Sequence, residues 1–362
     1  MTTKKNILIC PLNWGLGHAS RIIPIVDLLL KQNQNVIIAA DGHPLELLKK
    51  KFPTLKFISF PSFNIKYSKN KSQVLKLLFS LPKILLGIRK EHQQLKKIIK
   101  NENVDIVISD NRYGLWNKNI YSVFITHQIM VKTPRYIKFF EYPAFLISKW
   151  FILNFDKCWV PDYAGEKNLS GDLSHKYKLP KNVSFIGHLS RFNTIKKQTN
   201  NTKKDIDLLV ILSGPEPQRT ILENIIVKQA IDTNYKVEII AGKPQLNDSS
   251  ETNKNIKIIS HLETEKMLDK INSSKIILSR AGYSTIMDFV SLNKNAVLIP
   301  TPGQTEQEYL AKYLSHKELF YFVKQENLNI KKVINNVQEL QFKKLSVNNN
   351  LLEKEVNNLI NN

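Results

Sequence analysis

Cysteine is scarce in this chain, with only Cys10 and Cys158 among 362 residues. Two thiols cannot build a disulfide scaffold and supply too few ligands for a structural zinc site. The chain has only 12 Gly and 15 Pro, which excludes collagen-like and low-complexity proteins. Its 42% hydrophobic content is too high for wholesale disorder. No uncharged apolar stretch approaches the roughly 20 residues needed to span a bilayer. The opening MTTKKNILIC reaches Pro11 after a very short apolar run, so it is not read as a secretory signal. At this length a single core stops growing, so two domains are expected. The expectation is a soluble, reduced, cytoplasmic two-domain chain.

Acid is also in short supply: 31 Asp and Glu face 53 Lys and Arg, a net charge of +22. Attraction to an anionic partner would account for this, whether nucleic acid, a phosphorylated ligand or an acidic membrane surface. Compositional bias accounts for it equally well, since Lys, Asn and Ile abound throughout. Arginine, with seven residues, is the rare base. Five of the seven (Arg21, Arg112, Arg191, Arg219 and Arg280) lie in or beside turn segments near predicted strand ends. A guanidinium suits bidentate recognition of phosphate or carboxylate better than an ammonium does. Nucleic acid is not favoured as a partner, because the basic residues are spread out and no nucleic-acid-binding module is recognisable.

What the chain does have is rhythm. An apolar run (6–10) leads into a glycine-bearing loop (11–17). A helical pattern follows over 19–31, with Ile22, Ile23, Val26, Leu29 and Leu30 on one side, then a second apolar run (36–40). This is the opening of a βαβ unit with parallel strands. Strand-like runs recur at 56–60, 105–109, 123–126, 157–160 and 183–187, with helix-like segments at 68–102 and 136–155. A polar stretch without core pattern, 191–205, reads as a linker. The rhythm then restarts with strands at 207–213, 236–242, 256–260, 275–279 and 296–300. The expected fold is α/β, with two Rossmann-like domains (1–190 and 206–330) facing across a cleft. The segment 331–362 is read as a closing helix plus a frayed tail.

Three segments carry chemistry. In NWGLGHASR (13–21), Gly15 and Gly17 permit close backbone approach to a ligand, the helix behind favours negative charge, and His18 is placed to act as a general base. A dinucleotide fingerprint with Asp41 holding a ribose is the competing reading. Ser20 at the third glycine position, and the four residues between strand and glycines, weaken it. In SRAGYSTIMD (279–288), Gly282 opens the backbone, Ser284 and Thr285 are placed to cap a helix, and Asp288 can accept from a ribose diol. In PTPGQTEQEY (300–309), Gln304, Glu306 and Gln307 present polar groups suited to the hydroxyls of a sugar. Both loops follow strands, and open α/β sheets bind ligands at the carboxyl ends of their strands.

The stretch SRAGYSTIMDFVSLNKNAVLIPTPGQTEQEYLA (279–311) resembles the donor-binding signature of inverting, metal-independent GT-B glycosyltransferases of family 28, and GLGHASR resembles that family's N-terminal glycine loop. The resemblance implies that 1–190 is the acceptor-side domain and 206–330 the nucleotide-sugar domain. It implies that Arg280, Ala281, Gly282, Tyr283, Ser284 and Thr285 border the diphosphate, as do Ser213 and Gly214. It places Asp288 on the ribose, the uracil-binding backbone near Leu262, and Gln304, Glu306 and Gln307 on the donor sugar. His127, in Thr126-His127-Gln128, would line the acceptor side. Departures are a leaner glycine loop and Leu310-Ala311 after Tyr309, both bearing on the sugar and the acceptor.

The implied reaction moves a hexosyl or N-acetylhexosaminyl group from a UDP-sugar to a hydroxyl acceptor, with a lipid-linked or cell-envelope glycan as the expected acceptor. His18 takes the proton, with His127 and Asp110 as alternatives, and no cofactor or metal takes part. Other readings are a nucleotide-sugar epimerase, an NAD(P)-dependent oxidoreductase, and a binding protein without turnover. The basic segment 68–102 and the aromatic segment 136–155 fit either long core helices or peripheral contact with an anionic membrane on its inner, cytoplasmic face.

Overall fold

The computed structural model describes residues 4–62, 81–193, 195, 203–243, 249–345 and 350–361. Residues 68–80 of the expected basic helix, and 194 and 196–202 of the expected linker, lie outside the described residues. The chain divides into two compact units, Met1–Arg191 with Val347–Asn362, and Phe192–Ser346.

The first unit alternates β1 (Asn6–Pro11), α1 (Leu16–Lys31), β2 (Asn35–Ala40), α2 (Gly42–Lys51), β3 (Lys56–Ser59), α3 (Leu81–Glu102), β4 (Ile106–Asp110), β5 (Tyr121–Ile125), α4 (Glu141–Ile152), β6 (Lys157–Val160) and β7 (Val183–Phe185). All seven strands pair in parallel in the order β3-β2-β1-β4-β5-β6-β7. Helices on both faces explain why the strands are unbroken apolar runs rather than alternating ones. Ile7, Leu8, Ile9 and Cys10 are consecutive, and all four are fully buried. Burial pushes the Cys10 thiol up to about 12, so this cysteine is an inert core residue. On α1, Ile22, Ile23, Val26 and Leu29 are buried as expected, whereas Leu30 is 37% exposed.

The second unit contains β8 (Ile206–Ile211), α5 (Gln218–Ile231), β9 (Val237–Ile240), β10 (Ser249–Asn253), β11 (Ile256–Ile259), α6 (Thr264–Ser273), β12 (Ser274–Ser279), α7 (Tyr283–Ser291), β13 (Val297–Leu298), α8 (Thr305–His316), β14 (Tyr321–Phe322) and α9 (Ile330–Glu339). Its sheet runs β10-β11-β9-β8-β12-β13-β14, parallel throughout except for the antiparallel edge strand β10. Each unit is a doubly wound, Rossmann-like α/β sheet.

The C-terminal segment differs from one closing helix with a frayed end. It forms α9 and a separate helix, α10 (Asn350–Asn361), which belongs to the first unit. Val356, Leu359 and Ile360 are buried at helical spacing, and the Gln32 amide donates to Asn357. All four tryptophans (Trp14, Trp116, Trp150 and Trp159) lie in the first unit, so tryptophan emission follows that unit alone. Leu359→Ala is expected to destabilise the tryptophan-monitored urea transition by about 2–5 kcal/mol. An unchanged midpoint would show that α10 does not support the first unit.

Candidate active site

Both sheets reverse their strand order once, and ligands of such sheets bind at that reversal, outside the carboxyl ends of the strands. In the first unit the reversal lies between β1 and β4, where Pro11 is in register with Asp110. The loop after β1 reaches Gly15, which caps α1 at φ +87°, a conformation glycine adopts without strain. His18 and Arg21 follow on α1, three residues apart and so on one face of the helix. Asp110 is the last residue of β4, and His127 lies two residues beyond β5.

These segments bring four polar side chains together in an apolar surrounding. Asp110 is completely buried, Arg21 is 2% exposed and His127 9%. The Arg21 guanidinium grips the carboxylate with both arms: Nε donates to Oδ2 at 2.9 Å, and Nη2 donates to Oδ1. His18 Nδ1 meets the same Oδ2 at 3.0 Å, and Arg21 Nη1 meets His127 Nδ1 at 3.2 Å. Burial pushes the Asp110 carboxyl up, but the charges and hydrogen bonds of Arg21 and His18 outweigh it and hold it below the ordinary aspartate range. For His18, burial and then the Arg21 charge push the imidazole below its usual 6.5 against the pull of Asp110.

The chemistry follows. An ionised carboxylate only accepts, so His18 donates its Nδ1–H to Asp110 and keeps a lone pair on Nε2. A neutral imidazole oriented by a buried carboxylate is a general-base dyad. Asp110, expected from sequence as an alternative base, has its oxygens engaged by Arg21 and His18. Arg21 is the residue that the sequence reading did not place in the site. Its signals were the scarcity of arginine and its position one helical turn after His18.

In the second unit the reversal lies between β8 and β12. Ser213 and Gly214 follow β8, with Gly214 at φ +95°, and Arg280, Ala281 and Gly282 follow β12. Leu262 lies in the loop after β11, and Gln304, Glu306 and Gln307 follow β13. All these candidates therefore share the carboxyl edge of one sheet. Asp288, on α7, is 8% exposed. Ala281 and Tyr283 are buried, whereas Thr285 is half-buried.

Arg280 is fully buried, and its Nη1 donates to Pro300 O at 3.2 Å and its Nη2 to Gln218 O at 2.7 Å. It ties together the segments after β8, β12 and β13. Desolvation lowers its pKa to about 10, which leaves it charged at neutral pH. Ser284 and Thr285 do not cap α7, because the helix starts at Tyr283 and its cap is Gly282, which has no side chain to offer. In the sugar loop, Gln307 Oε1 accepts from Thr301 N at 2.9 Å while its amide donates to Gln304 Oε1. Glu308 Oε1 accepts from Gly303 N at 3.0 Å and fixes a turn that the sequence reading left unassigned.

Residues 208–361 match the glycosyltransferase family 28 C-terminal domain. The chain is a glycosyltransferase, and its C-terminal part is similar to family 28. Over 316 residues it is 25% identical to an uncharacterized glycosyltransferase of Methanosarcina acetivorans, covering 81% of this chain and 79% of that one. Over 188 residues it is 28% identical to the UDP-N-acetylglucosamine–N-acetylmuramyl-(pentapeptide) pyrophosphoryl-undecaprenol N-acetylglucosamine transferase of Borrelia turicatae, a match spanning 49% of this chain and 50% of the other. The crystal structure of the glycotransferase of kitacinnamycin shares the fold, with a TM-score of 0.65 at 11% identity over 100% of this chain and 95% of that one. Glycosyl transfer thus takes precedence over the epimerase and oxidoreductase readings. The family match runs through α10, which packs in the first unit although most of the matched domain is the second.

The His18–Asp110 pair of the glycosyltransferase should mark the pH dependence of stability. His18 has a folded pKa below 6.5, so the unfolded chain takes up that proton first. Its contribution is complete above 6.5 and is lost as pH falls below it. Asp110 is also depressed, so its contribution is lost at lower pH, through and below the ordinary carboxylate range. Tryptophan-monitored urea midpoints should fall in both windows, and His18→Gln should remove the first fall only. A wild-type midpoint rising on acidification below 6.5 would contradict the assignment.

Proposed function

We propose that this glycosyltransferase moves a hexosyl or N-acetylhexosaminyl group from a UDP-sugar to an acceptor hydroxyl, with inversion and without a metal. The observation that carries the reading is the His18–Asp110 dyad at the carboxyl edge of β1 and β4, with a lone pair on His18 Nε2. The acceptor hydroxyl attacks the anomeric carbon as the bond to UDP breaks, and its proton passes to Nε2. The resulting imidazolium is stabilised by Asp110. The diphosphate leaves toward the loops after β8 and β12, where the charge of Arg280 and the start of α7 provide positive potential. Ser213, Gly214 and residues 280–285 border it. Asp288 takes the ribose, the backbone near Leu262 the uracil, and Gln304, Glu306 and Gln307 the sugar. The relationship to the transferase of Borrelia turicatae supports a UDP-sugar donor and a lipid-linked acceptor.

Calorimetric titration with UDP followed by turnover on a UDP-sugar panel tests the reading. UDP binding and transfer are expected to be unaffected by EDTA. His18→Ala is expected to lower turnover by roughly 10²–10⁴ while donor affinity is kept. Near-normal turnover in that variant would remove His18 as the base, and loss of transfer in EDTA would remove metal independence.

A surface fits the lipid-linked acceptor. Over 136–153, Tyr136, Phe139, Tyr142, Ile147, Trp150 and Leu153 are each more than half exposed, and Arg135 and Lys138 beside them are exposed as well. Aromatic and aliphatic side chains flanked by cations suit the interface of an anionic bilayer. No helix among the described residues is long and apolar enough to cross a membrane. The protein is expected to co-sediment with anionic vesicles at low salt, and the double variant Phe139→Ser, Trp150→Ser should weaken this several-fold with the urea midpoint unchanged. Equal sedimentation of variant and wild type would move any membrane contact elsewhere.

A further inference from the structure

The Asp110–Arg21 pair is closed at each end by an imidazole, and the two imidazoles meet partners of opposite kind. Asp110 is ionised and only accepts, so His18 Nδ1, at 3.0 Å from its Oδ2, carries the hydrogen. Arg21 only donates, so His127 Nδ1, at 3.2 Å from its Nη1, is bare, and the hydrogen of neutral His127 resides on Nε2. We infer that Arg21 is a positioning residue that fixes the two histidines in opposite tautomers: His18 receives the acceptor's proton through Nε2, and His127 keeps its hydrogen on Nε2. This inference rests on the transfer reading above and adds to it a residue through which both histidines are set.

The geometry requires an arginine. Three nitrogens of one planar group, Nε, Nη1 and Nη2, serve the carboxylate and the second histidine together, which an ammonium cannot do. The charged and titratable groups facing His18 are Arg21 from α1, Asp110 from the end of β4 and His127 beyond β5. Of these, Arg21 and His127 disfavour the imidazolium and Asp110 favours it. Replacing Arg21 by a neutral residue therefore raises the proton affinity of His18 and leaves His127 without a fixed tautomer.

The test is the nitrogen-15 spectrum of the full-length protein labelled in histidine, taken at neutral pH with His18→Gln and His127→Gln for assignment. The expected result is His18 with hydrogen on Nδ1 and His127 with hydrogen on Nε2. The same tautomer on both, or rapid averaging at His127, would overturn the inference. This reading needs no turnover, so it stands or falls apart from the transfer assay. In Arg21→Met, kcat is expected to fall by roughly 10²-fold with donor KM within about twofold, and the acid limb of the pH profile to move to higher pH. Arg21→Lys should recover the position of the acid limb but not the His127 tautomer. If the Met variant does not fold, the wild-type spectrum alone still decides; if it folds and the acid limb stays in place, Arg21 does not set His18.

Discussion

Asp110 sits in the interior of the first unit with no exposure to water, and it is nevertheless ionised. Transferring a carboxylate out of water costs several kcal/mol even after the protein relaxes around it. Here the cost is met by the fork of Arg21 and the Nδ1–H of His18, which together engage both oxygens with charge-assisted bonds. The carboxylate also lies at the strand end paired with Pro11, so the bonds it accepts dock the start of α1 against the end of β4. The tautomer of His18 follows from this carboxylate, whereas its depressed proton affinity comes from burial and the Arg21 charge, and His127 is held by Arg21. Removing it would leave a buried guanidinium uncompensated, which is costly in a way that removing a surface ion pair is not.

The second unit solves a related problem differently. Arg280 is as deeply buried as Arg21, but its hydrogen bonds run to the carbonyls of Ile299, Pro300 and Gln218. Carbonyl dipoles satisfy donors without cancelling charge. Arg280 Nε is moreover buried without a partner, so the cation is incompletely satisfied by the protein around it. A charge that is not neutralised, beside the start of α7, keeps an outward field that an anion can use. Arg21 is neutralised by Asp110 and does not offer this. The contrast supports placing proton transfer in the first unit and diphosphate in the second.

The strands were legible because parallel strands covered on both faces are continuous apolar runs, as in Ile7–Cys10. β10 was not legible, since SSETN is polar and finds its strand conformation only by antiparallel pairing with β11. β14 is two residues long and has no pattern to read. In the site, His18 could be named by residue type beside the glycine loop, whereas the segments holding His127 and Asp110 stood out only within the family resemblance. Their assembly could not be read, because His18 and Asp110 are 92 residues apart and only the register of β1 against β4 brings them together. The capping expected of Ser284 and Thr285 failed for a local reason: the helix begins one residue before Ser284, which leaves Gly282 at the cap.

The helix α4 shows how structure narrows the meaning of the net charge of +22. Some lysines have local work: Lys132 pairs with Asp172 at 2.7 Å, Lys176 with Glu141 at 2.7 Å, and Lys243 with Glu223 at 2.9 Å. Such pairs make the total charge a weak guide to partners. The informative feature is α4 itself, whose buried residues Phe145, Ser148 and Ile152 face the unit while Tyr142, Leu146, Ile147 and Trp150 face outward. A helix apolar on both faces is ordinarily covered on both. Arg135 and Lys138, exposed just before this helix in sequence, are cations that an apolar protein partner would have to desolvate and a bilayer interface would leave hydrated beside its headgroups. Local pairing of apolar area with unburied cations, rather than the sum over the chain, is therefore the argument for a membrane surface.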